Sequence, residues 1–250
     1  MPATLGLLLS PHDARARRPP DERVGVVLVE RTLFDPPRAA AAKRWAPQLR
    51  RAFPSARLVP YAWHLVSHGP EERMRERTTR TLSGPPHLFG GLQRSPQTEQ
   101  AWEVTRLCAE AMEADAIVLR TPPSVTPGAL GRGRIRAFVE ARRAEGLGVI
   151  WEPEGLWEPL DAAALAKQCG ATLLWPAFTG GRAIHEDGRE GLVPAGAWLR
   201  VDGAGAKRGI HGGHVDELLD HLDLEPDATI VFAGPRARGN LGQLAEALAI

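Results

Sequence analysis

Eight short, almost unbroken apolar runs limit what this chain can fold into: Leu5–Leu9, Val24–Val29, Arg57–Ala62, Ala116–Arg120, Gly148–Glu152, Thr172–Pro176, Ala197–Val201 and Thr229–Ala233. Runs that lack apolar/polar alternation suit strands buried on both faces, as in parallel sheets covered by helices. Helical periodicity fills most of the gaps, over Arg38–Phe53, Gln97–Ala114, Arg132–Glu145, Asp161–Cys169, Val215–Leu222 and Asn240–Ala249. Eight strands alternating with helices in 250 residues predict an α/β fold, a TIM (β/α)8-type barrel spanning 1–250 as a single domain. An open doubly wound sheet would want a glycine-rich phosphate turn after its first strand, and Ser10-Pro11-His12-Asp13 is not one.

The repeat is uneven in three places. The link Pro11 to Arg23 is too short for a crossover helix, and Thr179 to Gly196 reads as a glycine-rich loop or small hairpin, so the first and sixth β/α units are irregular. Trp63 to Pro96, after the third strand, is a long arginine-, proline- and glycine-rich connection, a length that marks either a functional lid or a disordered loop. Asp161 is the expected N-cap of the fifth helix, Gly170 its stop, and Asn240 the expected cap of the last.

Composition excludes several classes. A formal charge of +1 gives no global field for nucleic acid or an acidic membrane. The basic stretch Arg73 to Arg80 lacks interleaved aromatics, so nucleic-acid binding is disfavoured. The apolar run Leu5–Leu9 is too short for a signal-peptide core or a membrane span, which predicts a cytoplasmic protein with no membrane partner. Cys108 and Cys169 fall in predicted helices without CxxC spacing and read as buried free thiols. No P-loop, nucleophile elbow or dinucleotide fingerprint is present, and the sequence implies no particular cofactor.

In such a barrel the site lies at the C-terminal strand ends. Those ends carry Glu30 and Thr32, Trp63 with His64 and His68, Arg120 before Pro122-Pro123-Ser124, Glu152 with Glu154 and Trp157, Trp175, and Arg200 with Asp202. Carboxylates beside arginines suit acid–base work on a held polar group, and equally suit a structural ion-pair network. His64 and His68, at i,i+4, and the compact pair His211 and His214 are the histidines a metal would need, but neither pair sits in a recognised ligand spacing with a carboxylate, so no metal is assigned. The glycine-rich turn Asp202 to Gly213, with Lys207 and Arg208, has the composition of a phosphate-binding loop and also that of a flexible linker.

From about Val24 onward the chain resembles the YecE-like family, domain of unknown function 72, whose members are TIM barrels. The resemblance rests on Glu30-Arg-Thr-Leu-Phe34 before Pro36-Pro37, Ala62-Trp63 with Ser67-His68, Thr121-Pro-Pro-Ser124, Trp151-Glu-Pro153 with Trp157, and Leu199-Arg200 with Gly203. Tyr61 stands where the family has a lysine, Arg120 for a glutamine, Glu154 for an arginine, Trp175 for an aspartate, Asp202 for a histidine, and Gly234-Pro235 for paired asparagines. The resemblance implies a divergent barrel whose mouth takes a small polar or anionic ligand. Glu30 and Glu152 are then the candidate acid–base pair, and Thr32, Trp63, His68, Arg120, Ser124, Trp157, Arg200 and Asp202 the candidate ligand-binding residues. Two alternatives stand beside it: a non-catalytic barrel kept as a binding module, and a metal-dependent hydrolase or nuclease.

Overall fold

The computed structural model describes residues 3–11, 20–72, 74, 78–80, 82–178, 183–185, 188–203 and 208–249. All eight apolar runs form strands: β1 Thr4–Leu9, β2 Val26–Val29, β3 Arg57–Pro60, β4 Ala116–Thr121, β5 Gly148–Pro153, β6 Thr172–Pro176, β9 Trp198–Val201 and β10 Thr229–Phe232. Every pairing among them is parallel, in the order β3-β2-β1-β10-β9-β6-β5-β4. A parallel bridge between Tyr61 and Val118, with the Ala62 N–H donating to the Val118 carbonyl at 2.8 Å, joins the two outer strands and rounds the sheet into a barrel.

Helices cover the outside: α1 Arg31–Phe34, α2 Ala39–Ala52, α3 His64–Ser67, α4 Pro96–Ala111, α5 Ala129–Ala144, α6 Pro159–Cys169, α7 Gly212–Leu224 and α8 Ala237–Ala247. Between β6 and β9 the described residues form a two-stranded antiparallel hairpin, β7 Ala183–Ile184 with β8 Glu190–Gly191, as the glycine-rich composition there foreshadows. Residues 12–19 of the first link lie outside the described part of the chain.

Helix limits follow local chemistry. Ser95 caps α4 by accepting the Thr98 N–H at 3.1 Å, with Pro96 in the first turn, where its missing N–H costs nothing. Gly170 ends α6 in the left-handed conformation at φ 72°, as expected. Two expected caps are corrected. Glu158 occupies the N-cap of α6 while Asp161 sits inside its first turn, where it still complements the helix dipole. Asn240 lies within α8 and is buried, its side chain accepting the Ile210 N–H and donating to the Arg208 carbonyl, both at 3.1 Å. The histidine pair His211 and His214 forms a reciprocal capping box at the start of α7.

The connection after β3 is tied down at both ends of its described part. Gly90, Gly91 and Leu92 donate backbone N–H groups to Leu65, Ser67 and Val66, and Phe89 and Leu92 are buried. Gly90 has φ +78°, and a Cβ there would collide with the His68 carbonyl, so the close approach depends on glycine.

Strand parity separates two cores. Val26, Leu28, Val59, Tyr61, Val118, Ile150, Leu174 and Val231 fill the barrel interior, while Val27, Leu58, Ile117, Val149, Leu173 and Ile230 face the helices. Because side chains alternate along a strand, the interior set continues upward into Glu30, Arg120, Glu152 and Arg200.

Candidate functional site

Arg120 and Glu152 are register partners on β4 and β5. Arg120 donates from Nε to Glu152 Oε2 at 2.8 Å, from Nη2 to Oε1 at 3.2 Å, and from Nη1 to Glu30 Oε1 at 3.2 Å. Its plane also lies over the Tyr61 ring, 5.0 Å from the centroid. Arg200 reaches the same Glu152 Oε1 through Nη1, and turns Nη2 to Asp202 Oδ1 at 2.8 Å. One chain of charge therefore crosses the top of the barrel from Glu30 through Arg120, Glu152 and Arg200 to Asp202.

Exposure rises outward along this chain: the side chains of Glu152 and Arg120 are 5% and 7% exposed, Arg200 23% and Asp202 38%. Burial alone would raise the Glu152 pKa, but the charges of Arg120 and Arg200 and their hydrogen bonds overcome it and hold the carboxyl at about 2. Glu152 is thus a fixed anion at neutral pH. Burial against Glu152 pushes the Tyr61 phenol well up, so it stays protonated. Glu154 behaves in the opposite way: burial, with the Glu152 charge nearby, raises its pKa against the pull of Arg120, whose Nε is 3.8 Å away.

The remaining predicted residues divide. Ser124 is at the rim and donates to Glu72 Oε1 at 3.1 Å, linking the turn after β4 to the long connection. His68 is buried and its pKa is lowered to about 3, first by burial and then by His64 and Arg120. Its Nδ1 lies 2.9 Å from Ser67 Oγ, which itself donates to the Arg120 carbonyl at 2.7 Å. Three of the candidate ligand-binding residues are enclosed within the fold. Thr32 Oγ1 is enclosed between the carbonyls of Val29 and Tyr61, at 2.8 and 2.9 Å. Trp63 is fully buried in the outer core. Trp157 is buried edge-on to Trp151 at 4.8 Å, with its indole N–H on the Val125 carbonyl. The two indoles fill space behind the strand ends, and Thr32 fastens α1 to the backbone that follows β3.

Tyr61 and Glu154 join the network although neither is among the candidate acid–base or ligand-binding residues, Glu154 being named only as a neighbour of Glu152 at its strand end. Both stand where the chain departs from the family pattern it resembles, and Tyr61 also has the inward parity of Val59. Lys207 and residues 73 and 75–77 of the basic stretch lie outside the described residues. Among the described residues there is no group of three or more His, Cys, Asp and Glu side chains able to hold a metal ion. No helix among them is long and apolar enough to cross a membrane.

Comparison with solved structures gives this geometry a context. A DUF72 family protein from Enterococcus faecalis superposes with a TM-score of 0.64 at 12% identity, over 99% of this chain and 96% of that one. This chain has the DUF72 fold. A DUF72 family protein from Thermotoga maritima aligns with a TM-score of 0.54 at 13% identity, covering 91% of this chain and 86% of that one. A D-psicose 3-epimerase, solved in the presence of D-fructose, gives 0.53 at 11% identity, over 96% and 89% of the two chains. No family model matches the sequence, and no curated protein matches it. The DUF72-fold barrel is therefore established by shape.

Proposed function

We propose that this chain is a divergent DUF72-type barrel that binds a small, hydroxyl-rich polar ligand at its C-terminal mouth. The observation that carries this reading is the pairing of Arg120 and Arg200 with Glu30, Glu152 and Asp202, which compensates both arginine charges and leaves a rim where carboxylate oxygens stand beside the remaining guanidinium N–H groups. Carboxylates at a rim accept hydrogen bonds from hydroxyl groups, and a neutral polyol or sugar offers many. The D-psicose 3-epimerase supports the sugar class by fold-level analogy alone. Within this reading Glu152 is the electrostatic floor that keeps both arginines in place. Glu30, 15% exposed and held by one hydrogen bond, and Glu154, with its raised pKa, are the candidate proton-transfer groups.

A second reading, a binding module without catalysis, is favoured by the depressed pKa of Glu152, which suits structure better than proton exchange. Both readings are tested by thermal-shift titration with unphosphorylated sugars and polyols, on the native chain and on Glu30→Gln and Glu154→Gln. A ligand that binds only the folded state raises Tm in step with its concentration. Loss of that rise in either variant supports the mouth site. No concentration-dependent rise with any polyol or sugar sinks it. Turnover of the stabilising ligand separates the catalytic reading from the binding module.

A further inference from the structure

A second polar feature lies beside the mouth and has the opposite charge. Arg31 in α1, Arg38 at the start of α2, and Arg80 in the connection after β3 line an open cavity of about 570 Å3 with Asp35, Thr79 and Leu82. Because these segments follow the C-terminal ends of β2 and β3, the cavity opens at the same end of the barrel as Glu30.

Three features suit it to an anion. Among the described residues none of the three guanidinium groups is in an ion pair with a carboxylate, unlike Arg120 and Arg200. The one carboxylate in the lining, Asp35, is already occupied: Thr79 donates its hydroxyl to Oδ2 at 2.8 Å and its N–H to Oδ1 at 3.3 Å. Third, two of the arginines are held by their faces. Arg31 lies over the Trp45 ring at 5.3 Å and Arg80 over Trp63 at 5.6 Å, cation–π contacts that support each cation without pairing it to an anion. Arg38 is also the N-cap of α2 with no side-chain cap, so the first N–H groups of that helix add to the positive field.

We propose that this cavity binds the phosphate group of a small phosphorylated metabolite, with Arg31, Arg38 and Arg80 as its donors. Three forks approaching from separate segments match the three terminal oxygens of a phosphate monoester better than the two of a carboxylate. The volume exceeds that of a phosphate group and leaves space for a sugar-sized body. The site does not rest on the mouth reading, and either can fail alone.

Calorimetric titration of the full chain at fixed ionic strength tests it, with inorganic phosphate, ribose 5-phosphate and unphosphorylated ribose as probes. Expected are saturable binding of ribose 5-phosphate, weaker binding of phosphate, and no heat from ribose at this site. Arg31→Gln, Arg38→Gln and Arg80→Gln each weaken binding by about tenfold or more, the loss of one charged hydrogen bond. Arg44→Gln, exposed on α2, removes the same charge and leaves the affinity unchanged. Arg38 makes no capping hydrogen bond, so Arg38→Gln decides the matter if the two tryptophan-stacked arginines prove necessary for folding. Absence of saturable binding by both phosphate probes, or equal weakening by Arg44→Gln, overturns the proposal. So does tight binding of a short oligonucleotide without any binding of ribose 5-phosphate.

Discussion

Arg120 and Glu152 stand directly opposite each other on β4 and β5, joined by two hydrogen bonds of 2.8 and 3.2 Å in a setting where both side chains are less than a tenth exposed. Breaking a buried pair from one side leaves the other charge without compensation. Glu152→Gln is therefore expected to lower stability by roughly 3 kcal/mol, a fall in Tm of about 6–12 °C for a chain of this size. The exposed pair Arg106 and Glu103 is the control, and Glu103→Gln should cost about 0.5 kcal/mol or less. Equal costs in urea denaturation would mean that the mouth network contributes nothing beyond a surface pair.

Stability should fall with acid, and His68 and Glu152 each contribute a step. His68 has its folded pKa lowered from 6.5 to about 3, so the unfolded chain takes up a proton that the folded chain refuses, and stability is lost as pH falls from 6.5 toward 3. Glu152, lowered from 4.5 to about 2, contributes stability above pH 4.5 that is lost as pH falls toward 2. Each group adds at most about 1.4 kcal/mol per pH unit. Chemical denaturation between pH 7 and 3 should show a slope that shrinks by one proton in His68→Gln. An unchanged slope would mean that His68 is not held neutral.

Much of this was readable in advance, and the reason is parity. Buried parallel strands announce themselves as apolar runs, and once β4 and β5 are aligned, the inward face of Val118 and Ile150 leads straight to Arg120 and Glu152. What parity cannot reveal is whether a residue past the strand end turns into the mouth or back into the shell. Trp63 and Trp157 turned back, and Thr32 was taken up by two backbone carbonyls. Asp161 and Asn240 were misread for a related reason: their side chains have capping chemistry, but the N-caps of α6 and α8 lie three and four residues earlier, at Glu158 and Arg236. Glu154 acquires its raised pKa first from burial, with the charges of Glu152 and of Glu72, which lies in the connection after β3, adding to it, and that burial is set by tertiary packing.

Both cysteines should be inert in the folded protein. Cys108 is fully buried, its pKa is pushed up to about 11 by burial, and its Sγ donates to the Pro37 carbonyl at 3.4 Å. Burial also raises the Cys169 pKa. The thiolate is the reactive form, so labelling with a disulfide reagent at pH 8 should proceed only at the rate of unfolding. Fast labelling of one thiol in the native protein would expose a local opening of α4 or α6.

Asn240 offers the sharpest test of how the segment after β9 is held. Its amide spans two backbone groups, accepting from Ile210 and donating to Arg208, and it is buried at 1% exposure. Asn240→Leu leaves both groups unsatisfied and should cost about 2–4 kcal/mol, with faster hydrogen exchange at the Ile210 amide. Asn240→Asp keeps the acceptor for Ile210 but turns a carboxylate toward the Arg208 carbonyl. Burial and that carbonyl both favour the protonated acid, whose O–H can donate as the amide did, so the folded pKa of the new group should be raised. A raised carboxyl pKa supports folding at low pH and is lost as a contribution when pH climbs through it. The deficit of Asn240→Asp relative to the native chain should therefore be greatest at pH 7 and smaller at pH 5, whereas that of Asn240→Leu should not follow pH. Parallel behaviour of the two variants across that range would mean that the Arg208 carbonyl finds another donor, and that Asn240 acts on Ile210 alone.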